Sequence, residues 1–241
     1  MTENNPWLSI TEGNVKIATC DVPFFEREGS AEAYAQRIND KNEEVELTFD
    51  CMPDPFSGNP ASKVYCLNKN PGKPDFCFKD DKAFMDATIK NLQLKSDSCF
   101  WAEDIKNKCG KVHAGVEWLR KRTKNLREIL DCRPDIFFIE YFPYHSTKGF
   151  DFPRCLPSYD FSDTLIKQAV EEEKLIIIMR EKANWLKRLK KIIPDIEQYE
   201  NLYMLKCAQG GYLTQDNIVR INQNGEVRHL SDDEIRKYFK K

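Results

Sequence analysis

Residues 66–72 read CLNKNPG, so a buried apolar run stops on two asparagines, a proline and a glycine. Pro71 fixes its own φ and Gly72 tolerates an unusual one, so the turn holds the backbone at Asn70 in a defined shape. An asparagine side chain held there orients a water or bonds the edge of a heteroaromatic ring. Lys73 and the amides around Gly72 can face a phosphate. A second apolar run, DIFFIEY (135–141), carries Glu140 near its end. A carboxylate in that position must be hydrogen-bonded, ion-paired or solvated. It reads either as a recognition or acid–base group, or as the structural partner of Arg180. His145, in PYHS, is one of only three histidines. Arg180 follows a third run and either binds a phosphate or balances Glu140. The late loop CAQGGYLTQDN (207–217) has Gly210 and Gly211 for close backbone approach, and Tyr212 or Leu213 as a wedge between stacked rings.

These residues need elements to position them. Four runs, KVYCL (63–67), DIFFIEY (135–141), KLIIIM (174–179) and NLYMLK (201–206), are apolar at successive positions. That pattern fits strands buried on both faces, as in a parallel sheet covered by helices. Helical patterns lie between them at 80–94, 112–130, 161–173 and 181–193, the last stopped by Pro194. In 112–130, Val112, Val116, Leu119, Leu126, Ile129 and Leu130 share one face. A helix over about 29–40, a strand over 44–50 and a closing helix over 231–241 capped by Ser231 complete the reading. Strand–helix alternation predicts an α/β/α sandwich around a short, mainly parallel four-stranded sheet. No linker is visible, so residues 1–241 read as one domain, with about 1–45 and 222–241 as peripheral additions. In such sheets ligands bind beyond the carboxyl ends of the strands, where the unusual residues collect.

A net charge of −2 offers no global basic field, so any nucleic-acid contact must come from local patches such as RKRTKNLR (120–127) and REKANWLKRLKK (180–191). Nine cysteines with no CxxC spacing argue against a disulfide framework, a zinc site or an iron–sulfur cluster, and fit reduced thiols. The N-terminus has no signal-peptide pattern and no run reaches membrane-span length, so a cytoplasmic protein with no metal, no organic cofactor and no membrane partner is expected.

With the motifs in place, the chain resembles the uracil-DNA glycosylase superfamily, and its single-strand-selective and related bacterial branch most closely. The resemblance rests on DPFSGNPASKVYCLNKNPG (54–72), on EYFPYHS, on IIIMR followed by a Trp-bearing helix, and on GGYLTQDN. It covers roughly residues 45–220. It implies a DNA-repair hydrolase that excises a base by cleaving its N-glycosidic bond, acting on DNA or a related nucleobase or nucleotide. A duplex base must leave the stack to be reached. By position, Asn70 matches the residue that orients the attacking water, and Phe76 or Phe78 the ring that stacks on the base. Glu140 falls where the family has a base-reading asparagine, and 208–217 where a loop inserts into DNA. Asn68, Pro71, Gly72, Tyr144, Ser146, Arg180, Gly210, Gly211, Tyr212, Leu213 and Asn217 are the expected binding residues; Asn70, Glu140 and His145 are the expected catalytic ones. Two positions depart from the family pattern. An ionised Glu140 only accepts hydrogen bonds, which suits a two-donor edge such as that of guanine better than uracil. The late loop has neither the histidine nor the Pro-Ser of the family, and His145 is the candidate substitute. The rival expectation is a binding module that keeps the pocket without hydrolysis.

Overall fold

The computed structural model describes residues 4–11, 16–78, 81–221 and 225–241. In chain order the strands are β1 (Leu47–Thr48), β2 (Phe56–Ser57), β3 (Val64–Leu67), β4 (Phe137–Ile139), β5 (His145–Ser146), β6 (Leu175–Ile178), β7 (Leu202–Leu205), β8 (Ile218–Ile221) and β9 (Val227–His229). The helices are α1 (Leu8–Thr11), α2 (Val22–Arg27), α3 (Ala31–Lys41), α4 (Lys82–Leu92), α5 (Ala114–Arg122), α6 (Lys124–Leu130), α7 (Tyr159–Glu171), α8 (Lys182–Ile192) and α9 (Asp232–Phe239).

The four apolar runs become β3, β4, β6 and β7, which lie side by side and parallel. Their side chains alternate between two cores. Tyr65, Leu67, Phe137, Ile139, Ile176 and Ile178 face one. Val64, Cys66, Phe138, Leu175 and Ile177 face the other. The first core is covered by α7 and α8, the second by α5, α6 and α9. Both sheet faces are therefore dry, which is why these strands read as continuous apolar runs rather than alternating ones.

The described sheet is wider than the four strands expected. Its order is β2-β4-β3-β6-β7-β8-β9, with β2, β8 and β9 antiparallel to their neighbours. The expected strand over 44–50 shortens to β1, which pairs with β5 in a separate two-stranded sheet. The expected helix over 112–130 is two helices that meet at Thr123, where the buried hydroxyl donates to the Leu119 carbonyl at 2.7 Å. Ser231 caps α9 as expected, in a reciprocal capping box with Glu234.

The N-terminal segment is part of the core rather than an addition at the periphery. Trp7, Ile10, Phe25 and Tyr34 pack into the cluster that includes Tyr65 and Phe137. At the other end, Ile235 and Phe239 of α9 are fully buried against the opposite face. No described helix is long and apolar enough to cross a membrane.

Gly58 fixes the turn out of β2. Its φ is +114°, and a Cβ there would stand 2.5 Å from the Ile136 carbonyl oxygen and 3.2 Å from the Cys99 nitrogen. Both neighbours are backbone and cannot swing aside. Gly58→Ala is expected to cost about 1–3 kcal/mol and to lower the thermal unfolding midpoint by several degrees. An unchanged midpoint would contradict this reading of the turn.

Candidate functional site

Leu67 of β3 stands level with Ile139 of β4 and Ile178 of β6, so these three strands end together. Asn68 and Glu140, which follow directly, and Arg180, two residues beyond Ile178, line one cavity of about 780 Å³. Asn70, Pro71, Gly72, Phe78 and His145 line it as well. A loop from the N-terminal side, 50–54, brings Asp54. Phe84 of α4, Trp101, and Trp118 of α5 complete an aromatic wall.

Asn70 is rigidly held. Its Nδ2 donates to the Pro71 carbonyl at 2.7 Å, the Ser146 hydroxyl at 2.9 Å and the Ser146 carbonyl at 3.1 Å. Carbonyl oxygens only accept, so the amide cannot be reversed. Its Oδ1, which makes no hydrogen bond among the described residues, is left as the acceptor for a ligand or a water. The proline and glycine of the turn therefore act together with Ser146, whose hydroxyl donates onward to the Lys148 carbonyl at 2.7 Å.

Glu140 and Asn68 form a pair. Asn68 Nδ2 donates to Glu140 Oε1 at 2.9 Å, and the Asn68 carbonyl accepts from Trp185 Nε1 at 2.6 Å. Asn68 Oδ1 and Glu140 Oε2 are buried without a partner. Burial pushes the Glu140 carboxyl up to about 8. The Asn68 hydrogen bond and the Arg180 charge act against that shift, and the Asp54 charge adds to it. Burial likewise pushes Asp54 up to about 7. Burial thus shifts both carboxyls toward neutrality, and the Asp54 charge adds to the Glu140 shift.

His145 spans two loops. Its Nδ1 lies 2.9 Å from the Gly72 carbonyl oxygen and its Nε2 lies 3.1 Å from that of Met52. Burial pulls its pKa down, and the two carbonyls act the other way. Both nitrogens face a backbone carbonyl and a neutral imidazole carries a single N–H, so the ring donates to one of them and sits wedged between the 50–54 loop and the Pro71-Gly72 turn.

Sequence reasoning gave no role to His113, which lines the same cavity. Its Nδ1 accepts from the Gly115 N–H at 3.1 Å at the start of α5. Burial pulls its pKa down to about 4, with Asp75 acting against the shift and His145 adding to it. The ring is thus neutral with its proton on Nε2, a donor with no hydrogen-bond partner among the described residues. It packs against Phe84 at 4.6 Å and Phe78 at 5.2 Å. Asp54, Phe84 and Trp101 were missed as well; only the Asp-Pro-Phe opening of the first motif pointed at one of them.

Several expected residues do not reach the cavity. Tyr144 is buried in the core, where it donates to Asp21 Oδ2 at 2.7 Å and accepts from the Ala18 amide at 3.2 Å. Leu213 is fully buried, so it cannot serve as an exposed wedge. Asn217 holds the late loop closed through the Tyr212 carbonyl at 2.7 Å and the Cys207 amide at 2.7 Å. Gly210, Gly211 and Tyr212 sit in that loop beside Arg180, whose Nη2 donates to the Gln209 carbonyl at 3.1 Å. Tyr212 is 39% exposed, with its ring over the Arg122 guanidinium at 4.3 Å. Phe76 opens a short 3-10 turn, Phe76–Phe78, and its side chain lies outside the described residues. Phe78 is fully buried in the aromatic wall.

No described group of three or more His, Cys, Asp or Glu is placed to hold a metal. All nine cysteines are unpaired. Neither the family models, nor the curated proteins, nor the solved structures contain a match to this chain.

Proposed function

We propose that the cavity takes a nucleobase and that the protein hydrolyses the N-glycosidic bond that holds it. The observation that carries this is the convergence of Asn70, the Asn68–Glu140 pair and an aromatic wall at three level strand ends. The parallel order β4-β3-β6-β7 supports the glycosylase-like architecture that the motifs imply. Asn70 Oδ1 accepts from the attacking water and aims its lone pair at the sugar carbon. The water oxygen bonds to that carbon, the carbon–nitrogen bond breaks, and its electron pair leaves on the base. Asp54 and Glu140, titrating near neutrality, take the water's proton and supply one to the base. An aromatic face under the base is worth about 1–3 kcal/mol of stacking.

The base edge follows from Glu140. Protonated at neutral pH, it offers a donor beside the Asn68 acceptor, so the pair suits an edge with one acceptor beside one donor. Ionisation makes both groups acceptors. This revises the expectation of a two-donor edge, which assumed an ionised glutamate. The sign is direct: below about 8 Glu140 keeps its proton and the donor is present; as pH rises through about 8 the donor is lost.

Binding of free nucleobases, followed through the fluorescence of Trp101 and Trp118, tests this reading. One base with a donor–acceptor edge is expected to bind, with affinity falling roughly tenfold above pH 8. Glu140→Gln keeps a donor and an acceptor at every pH, so its profile should be flat. No binding by any base, or equal pH dependence in both proteins, would contradict it. One observation favours a binding module without hydrolysis: His145, the expected substitute donor to the leaving base, has both nitrogens turned to backbone carbonyls. Binding without base release would favour that reading.

A further inference from the structure

We propose that Arg122 and Arg180 form a subsite for a phosphate group, between the late loop and the carboxyl end of β6. The two guanidinium groups are held from one side by a single stretch of chain. Gln209 accepts from Arg180 Nη2 at 3.1 Å, and Tyr212 lies over Arg122 at 4.3 Å. The Leu213 amide donates to the Arg122 carbonyl at 2.9 Å. Gly211, at φ +64°, lets the chain turn here, and a Cβ there would lie in ordinary contact with the Arg180 guanidinium at 3.5 Å. Trp118, which lines the cavity, stands 5.7 Å from Arg122 on the helix side.

The charges are left unanswered. Arg122 Nε and Nη1 and Arg180 Nε are buried and make no hydrogen bond among the described residues. Neither arginine takes part in a described ion pair. Glu181, the carboxylate next to Arg180 in the chain, is taken by Lys69 at 3.0 Å. Glu140 is the carboxyl that acts on Arg180, and burial keeps it protonated at neutral pH. Two guanidinium groups that repel each other, with donors turned away from water, are a costly arrangement. A tetrahedral anion with several acceptor oxygens satisfies it.

Arg180 lines the base cavity itself, so the phosphate would sit at its mouth. What the phosphate belongs to rests on the function proposed above: a nucleotide or a strand that presents a base. The existence of the subsite does not, because inorganic phosphate alone probes it.

Calorimetric titration of inorganic phosphate into the full chain, against chloride at matched ionic strength, is the test. Saturable binding is expected, weakened roughly tenfold or more by Arg122→Gln and by Arg180→Gln. No saturable binding, or unchanged affinity in both variants, overturns the proposal. Should a variant fail to fold, the wild-type chain decides alone: its unfolding midpoint is expected to rise with phosphate and not with chloride, and equal midpoints overturn it. Two competitors identify the source. Displacement of phosphate by a single-stranded oligonucleotide with an abasic analogue assigns the subsite to a strand backbone. Displacement only by a nucleoside monophosphate assigns it to a free nucleotide. Failure of base binding with phosphate binding intact would leave this subsite standing and remove the base.

Discussion

Asn70→Ala is expected to lower base release by about a hundredfold or more while leaving the affinity for the free base within a few fold. The split follows from geometry. The base edge is read by Asn68 and Glu140, whereas Asn70 Oδ1 has only the water to hold. Alanine also removes the three hydrogen bonds from Nδ2 to Ser146 and Pro71, so a modest drop in unfolding midpoint accompanies the loss. Release is therefore compared well below that midpoint. Asn70→Asp keeps the shape but sets a carboxylate against the carbonyls of Ser146 and Pro71, and should not restore release. A variant that releases base at the wild-type rate would remove Asn70 from the chemistry. One that loses base affinity as much as release would make it a packing residue.

Arg188→Ala is expected to cost about 3–5 kcal/mol of stability. Arg188 of α8 is 7% exposed and bonds Asp163 of α7 at 2.6 Å and the Tyr159 carbonyl at 2.7 Å. Its guanidinium also lies 4.2 Å from the Tyr159 ring and 5.2 Å from Trp185. Removing it strands the partly buried Asp163 carboxylate, whose pKa burial already raises and Arg188 holds down. The same helix carries Trp185, the donor to the Asn68 carbonyl, so loosening α8 also loosens the base-reading pair. Urea unfolding checks the number. Because a buried ion pair is often replaceable by apolar groups of similar volume, Arg188→Met with Asp163→Leu should recover part of the loss. A single variant that loses under 1 kcal/mol, or a double variant weaker than the single one, would contradict this account of the clamp.

The centre of the sheet was legible because strands buried on both faces leave uninterrupted apolar runs, and the polar residues that end such runs must go somewhere specific. That logic located Asn68, Asn70, Glu140 and Arg180, which meet in one cavity. It missed β8 and β9, since IVRI is brief and VRH is exposed along its length, leaving no apolar signature. It also missed His113 and Asp54. One caps a helix and the other sits in a loop before a proline, and only tertiary packing brings them to the strand ends. Loop residues misled in the opposite direction. Tyr144, Ser146, Leu213 and Asn217 have the types that bind ligands, but here their hydroxyl, amide or apolar groups are used to hold loops in shape. His145 shows why residue type alone misleads: both its nitrogens face carbonyl oxygens too far away in sequence to be foreseen.

The most direct measurement is base release. The full chain would be incubated with oligonucleotides carrying uracil, hypoxanthine, xanthine or alkylated bases, single- and double-stranded, and free base read by chromatography. Release of one base with a donor–acceptor edge is expected, abolished in Asn70→Ala. A folded protein that binds that base and releases none, across the whole panel, would contradict hydrolysis and leave a recognition pocket in its place.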